Sequence, residues 1–295
     1  MSHALIFGIS GQDGYYLEQL LLGKGIRVTG IARSAGSWIS GDVSNRDFVT
    51  SLIRELNPDY IFHLAALSKT RHELLFDHQS IIVNGSLNIL EAALLYAPHS
   101  KIFITGSGLQ FQNTGTPISE SSPFEARDAY SLARIQSVYA ARYYRTRGLQ
   151  TYTGYLFHHD SPFRAADHLN RRIADAALAA AAGENVQIRI GDVEAEKEFG
   201  FAGDIAAGIF HLLQQDHFHE ACIGTGKAYK VAEWLEYCFG KLGKNWRDFV
   251  IPEPGYQSDF KRMVSDSSLL QSTGWIPSVD IQELANLMLK PAPQR

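Results

Sequence analysis

The stretch ALIFGISGQDGYYLEQLLLGKG constrains this chain more than any other. Gly8, Gly11 and Gly14 follow an apolar run directly and lead into an amphipathic one. Glycines at such a turn let an anion approach the backbone closely, and the helix N-terminus behind them offers free N–H groups to a pyrophosphate. The pattern predicts an α/β fold with a doubly wound parallel sheet and a dinucleotide at its first strand–helix turn. Downstream, RVTGIA, YIFHLAA, KIFITGS and TYTGYLF are buried-strand candidates. Helical stretches such as NRDFVTSLIREL, SIIVNGSLNILEAALLY and YSLARIQSVYAARYYRTRG separate them. That alternation is the mark of a sheet covered by helices.

Beyond about residue 158 the alternation loosens and Pro and Gly become frequent, as in DSPFRAAD, IPEPGYQ and STGWIPS. We therefore expect a Rossmann domain over 1–157, with roughly 199–223 returning to it, and a smaller substrate lobe over 158–198 and 224–295. A net charge of -4 and a pI near 6.3 give no electrostatic case for nucleic acid or a membrane surface. Cys222 and Cys238 form no CxxC and lie in no histidine cluster, which argues against a disulfide framework or a metal site. Glycine interrupts MSHALIFGIS too early for a secretory segment, and no apolar run is long enough to span a bilayer. A cytoplasmic protein is expected.

After the second strand candidate comes IARSAG. An acidic residue there would hold a ribose 2′-hydroxyl, whereas Arg33, helped by Ser34, suits a 2′-phosphate and so NADP(H). Otherwise Arg33 is a solvated loop cation. Asp42 either accepts from an adenine amino group or caps the helix that follows. Ser107 ends the strand KIFITGS, and Tyr130 opens a helix on which Arg134 lies one turn later. A fixed positive charge stabilises a phenolate and makes the tyrosine a usable acid, while a serine hydroxyl orients a carbonyl. The plain alternative is an interface or core tyrosine on a helix that also carries Tyr139, Tyr143 and Tyr144.

The order and spacing of the glycine motif, the serine strand and the tyrosine helix resemble the extended short-chain dehydrogenases/reductases. Within them the chain most resembles the GDP-mannose 4,6-dehydratases and the related GDP-4-keto-6-deoxy-mannose reductases. The resemblance runs nearly end to end, through LNPDYIFHLAALS, NGSLNILEA, SESSPFEARDAYSLAR, YLFHHDSPFRAADHLNRRIADA and STGWIP. It implies cofactor contacts from Gln12, Asp13, Val43, Leu64, Ala65 and Ala66, besides the glycines, Tyr130 and Arg134. It also implies a GDP-sugar substrate, with Arg172, Lys197 and Arg262, and less strongly Arg189, as phosphate candidates. His158 would stand beside the sugar, and the helices around Tyr130 and Asn84–Tyr96 would form a homodimer interface.

Five features depart from the dehydratase pattern. Leu109 replaces the glutamate that removes a proton next to the 4-keto group, and leucine takes no proton. The segment after Arg33 is short, as in the reductases. Lys197, Glu198 and Phe199 stand for an R-D-W-like stretch, and Arg134 stands for a lysine. His158 likewise takes the place of an asparagine. The leading expectation is an NADP(H)-dependent 4-ketoreductase acting on a GDP-4-keto-6-deoxy-hexose. A 4,6-dehydratase or epimerase is the enzyme alternative, and a catalytically impaired cofactor-binding homologue is the third.

Overall fold

Strand β1 (His3–Phe7) is buried along its whole length, as an apolar run must be at the centre of a parallel sheet covered on both faces. The computed structural model describes residues 1–292 apart from 254, 257 and 259, so these and 293–295 of the expected substrate lobe lie outside the described residues. After β1 come β2 (Arg27–Ala32), β3 (Ile39–Ser40), β4 (Tyr60–His63), β5 (Lys101–Ser107) and β6 (Gln150–Leu156). With Glu220–Ile223 beyond β6 they form a seven-stranded sheet in the order 3-2-1-4-5-6, every pairing parallel. The order switches sides between β1 and β4, and the crevice outside their carboxyl ends is where such sheets bind ligands.

Side chains alternate between the two faces of each strand. Ala4, Ile6, Phe62, Phe103 and Tyr152 meet α1 (Gln12–Gly23) on one side. Leu5, Phe7, Ile61, Ile102 and Ile104 meet α2 (Arg46–Leu56) on the other. The apolar run Ser80–Tyr96 is not one regular helix: α3 (Leu75–His78) passes through a π-helical stretch, Gln79–Asn84, into α4 (Gly85–Tyr96). Then come α5 (Ala129–Thr146), α6 (Leu169–Ala181), α7 (Ala202–Leu212) and α8 (Val231–Gly240). Helix α7 shares its core with α1 and leads into Glu220–Ile223, so this part of the chain builds the large sheet's layer. Helices α6 and α8 with Ile281–Met288 enclose a separate core around Trp234, Leu235 and Phe239. Leu270 and Trp275, inside the stretch expected to be substrate lobe, instead pack beneath α7, and Trp275 Nε1 donates to the carbonyl of Asp204 at 3.1 Å.

Asp42 does not cap α2. Its Oδ1 accepts from the backbone N and hydroxyl of Ser44 at 2.9 and 2.8 Å, while Asn45 takes the cap by accepting from Phe48 N at 3.1 Å.

The turn after β1 depends on glycine. Gly8 has φ +94°, and a Cβ there would lie 2.6 Å from the backbone nitrogen of Ala65. At Gly14 a Cβ would lie 2.6 Å from the Gly8 carbonyl oxygen, so α1 sits directly on the turn. Gly8→Ala should cost about 1–3 kcal/mol. Calorimetry should show this as a fall in Tm of about 2–4 °C per kcal/mol, and an unchanged Tm would rule out the close packing.

Candidate active site

Ser107 is the last residue of β5, so its side chain emerges at the carboxyl edge of the sheet. Its hydroxyl accepts from Leu109 N at 3.2 Å and its own N donates to Gln110 Oε1 at 2.9 Å, which holds the strand end in a tight turn. Tyr130 lies in the first turn of α5, where the N-cap Asp128 accepts from Ser131 N at 2.7 Å. These anchors bring Ser107, Tyr130 and Arg134 onto one cleft of about 340 Å³, with Gly8, Gly11, Gln12, Asp13, Gly14, Leu64 and Ala66 on its opposite wall.

Arg134 is 3% exposed. Its Nη1 donates to the Thr105 carbonyl at 2.7 Å, and its guanidinium carbon stands 5.0 Å from the Tyr130 ring centroid. The cation is thus locked to the sheet and faces the ring. Nearby His63 is fully buried, and burial followed by the Arg134 charge pushes its pKa down to about 4, so it adds no second cation. His78, which packs edge-on against Tyr130 at 5.6 Å between centroids, binds the Lys69 carbonyl through Nε2 at 2.7 Å. Among the described residues Asp13 is the only carboxylate on this cleft, and it is 2.9 Å from His159 Nε2.

A second cavity, behind the glycine turn, is lined by Arg33, Asp42, Val43, Leu64, Ala65 and Ala66. Ser34 lies outside this lining; it is exposed, and its carbonyl accepts from Trp38 Nε1 at 2.9 Å. A dinucleotide fits these residues, because the space that a Cβ at Gly8 or Gly14 would fill lies against backbone. The two cavities meet at Gly8, Gly11, Leu64 and Ala66.

The first cleft opens past Leu109, His158 and Met263 into a third cavity of about 440 Å³, which Arg172, Arg189 and Lys197 line. Arg262 does not line it. Its Nε is 3.2 Å from Glu196 and its Nη1 donates to the Gly115 carbonyl at 3.1 Å, so the cation is already spoken for. Burial, then Lys197, pushes the pKa of His158 down to about 3, which makes it an uncharged ring. Burial, then Arg164, lowers Lys197 to about 8 against the opposing pull of Asp160. Burial opposes the charge on Asp160, but Arg164, Lys197 and two hydrogen bonds hold its pKa at about 2. Sequence reasoning missed Arg164 and His168 on the main cleft. Arg164 sits one turn beyond Asp160 and bonds it through Nε at 2.5 Å; an acid and an arginine four apart are a readable signal, but a common one.

A family model described as GDP-mannose 4,6 dehydratase matches residues 5–288. Among curated relatives, GDP-mannose 4,6 dehydratase 2 of Arabidopsis thaliana is 29% identical over 97% of this chain and 85% of its own length. The GDP-mannose 4,6-dehydratase of Vibrio cholerae is 26% identical over 97% of this chain and 92% of its own. The fold matches a dTDP-glucose 4,6-dehydratase from Bacillus anthracis solved with NAD at TM-score 0.85, 16% identity and coverage of 98% and 96% of the two chains. It also matches RMD from Pseudomonas aeruginosa solved with NADPH, at TM-score 0.84, 18% identity and 98% of both chains.

Lys197 gives the third cavity a titrating cation. Affinity for a nucleoside-diphosphate sugar, measured by calorimetry, should be flat below pH 8 and fall above it as the ammonium loses its proton, by up to about tenfold per pH unit. Lys197→Arg should remove that decline.

Proposed function

The chain belongs to the GDP-mannose 4,6 dehydratase family, and from that premise we propose an NADP(H)-dependent nucleotide-sugar oxidoreductase that acts as a 4-ketoreductase on a GDP-4-keto-6-deoxy-hexose. The observation that carries this reading is Leu109. It lines both the cleft that holds Ser107 and Tyr130 and the cavity beyond it. An elimination needs a base at the carbon beside the ketone, and leucine is none. The other reading, a 4,6-dehydratase, is favoured by the names of the relatives.

In the ketoreductase reading Tyr130 donates its phenolic proton to the carbonyl oxygen, and the Ser107 hydroxyl holds that oxygen in place. Arg134, above the ring, stabilises the phenolate left behind. Leu109 and Met263 form an apolar wall that keeps water from the reacting carbon. Half-buried His158 can donate a hydrogen bond to the sugar but keeps no spare proton at neutral pH. Arg172, Arg189 and Lys197 face the diphosphate. Gly8, Gly11, Gln12, Gly14, Arg33, Asp42, Val43, Leu64, Ala65 and Ala66 would hold NADP(H), which supplies the hydride when bound. The exposed Arg33 at the rim of the second cavity supports the 2′-phosphate form.

Tyr139 and Tyr143 on α5 and Leu87 and Leu95 on α4 stand exposed, which supports a homodimer through these two helices. Cys222 and Cys238 are free and buried, in keeping with a reducing cytoplasm. No helix among the described residues is long and apolar enough to cross a membrane.

With a GDP-4-keto-6-deoxy-hexose, purified protein should oxidise NADPH stoichiometrically. Turnover of GDP-mannose with no net cofactor change would instead establish the dehydratase, and tight NADPH binding without turnover of either would establish an inactive homologue. Tyr130→Phe should lower kcat by about 10²-fold or more, the scale of a lost general acid. Arg134→Lys should retain or raise activity. Leu109→Glu should add detectable dehydration of GDP-mannose, since it restores the missing base.

A further inference from the structure

Gln12 and Asp13 open α1, yet their side chains reach across to the segment His159–Arg164. Asp13 Oδ1 lies 2.9 Å from His159 Nε2, and His159 Nδ1 lies 2.7 Å from the Phe157 carbonyl oxygen. A carbonyl and an ionised carboxylate only accept, so a ring bonded to both carries protons on both nitrogens. Gln12 completes the joint: its Nε2 donates to the His159 carbonyl at 3.2 Å, and Ser161 Oγ donates to its Oε1 at 3.0 Å. His159 is 7% exposed. Burial opposes both charges, yet Asp13 holds the His159 pKa above its ordinary value, and His159 with Arg164 holds the Asp13 carboxyl below its own.

Asp13 stands in the first turn of the helix whose N-terminus faces the expected pyrophosphate. A bare carboxylate there repels an incoming diphosphate. The charges that offset it come from His159, one residue after His158, and from Arg164, both in the segment that borders the sugar side.

We propose that Asp13 and His159 couple the two halves of the cleft: seating the His158–Arg164 segment brings an imidazolium onto Asp13, cancels its repulsion of the cofactor phosphates, and makes each ligand strengthen the other. This rests on the reading that cofactor and nucleotide sugar meet here. His159 is a positioning residue in this scheme; it touches neither reacting atom. Reciprocity is a thermodynamic requirement of such coupling.

The test is NADPH titration, followed by its fluorescence, of wild type, Asp13→Asn, His159→Gln and the double variant, each with and without saturating GDP. In wild type GDP should tighten NADPH binding by about fivefold or more. His159→Gln should weaken NADPH about tenfold and lose the GDP effect. Asp13→Asn should bind NADPH several-fold more tightly than His159→Gln while losing the GDP effect, and the double variant should behave like Asp13→Asn. This rescue separates charge compensation from mere structural support, which would leave the double variant no better than His159→Gln. A double variant that weak, or a GDP effect that survives in Asp13→Asn, overturns the proposal; the second arm decides even if His159→Gln fails to fold. Wild type that binds neither NADPH nor GDP overturns the functional reading itself, and the coupling with it.

Discussion

Backbone lies against backbone at Gly8, and the height of everything above the sheet follows from that contact. No side chain separates the turn after β1 from Leu64 and Ala65, and Gly14 sets α1 straight down on the same turn. Without a Cβ at either point, the helix N-terminus is brought level with the carboxyl ends of β4 and β5. Ser107 at the end of β5 therefore faces the glycine turn across one cleft. A helix dipole pointed at that space favours anions, and the arrangement needs no cation on the turn itself.

Four of the departures from the dehydratase pattern lie around that space. Leu109 and His158 lie on the boundary between the main cleft and the third cavity, Arg134 lines the first and Lys197 the second. Each alters proton chemistry in a different direction. A carboxylate gives way to an alkyl group, and a lysine that can release a proton gives way to a guanidinium that cannot. In the third cavity an arginine gives way to a lysine whose charge titrates near pH 8.

Much of this was readable from residues in sequence. Apolar runs and their glycine stops placed β1, β2, β4, β5 and β6, because burial on both faces leaves a local signature. The convergence of Ser107, Tyr130 and Arg134 followed from a strand end and a helix start. What escaped was decided by partners distant in the chain or by local turns that composition does not reveal. Arg262 was expected to bind phosphate, but Glu196 and the Gly115 carbonyl hold it. Asp42 lost the helix cap to Asn45, three residues on, through a turn it forms with Ser44. The link from Asp13 to His159 spans about half of the chain, and no periodicity announces it. The π-helical stretch before α4 also hides inside an apolar run, since its extra residue per turn changes register without changing composition.

Leu270 and Trp275 tie the end of the chain into the layer formed by α1 and α7, although they follow strands and helices that belong to the other core. A scission anywhere between α8 and Trp275 would therefore strip an indole from beneath the large sheet and Ile281–Met288 from the smaller core. Because this segment contributes to both cores, heat or denaturant should melt them together in a single cooperative event.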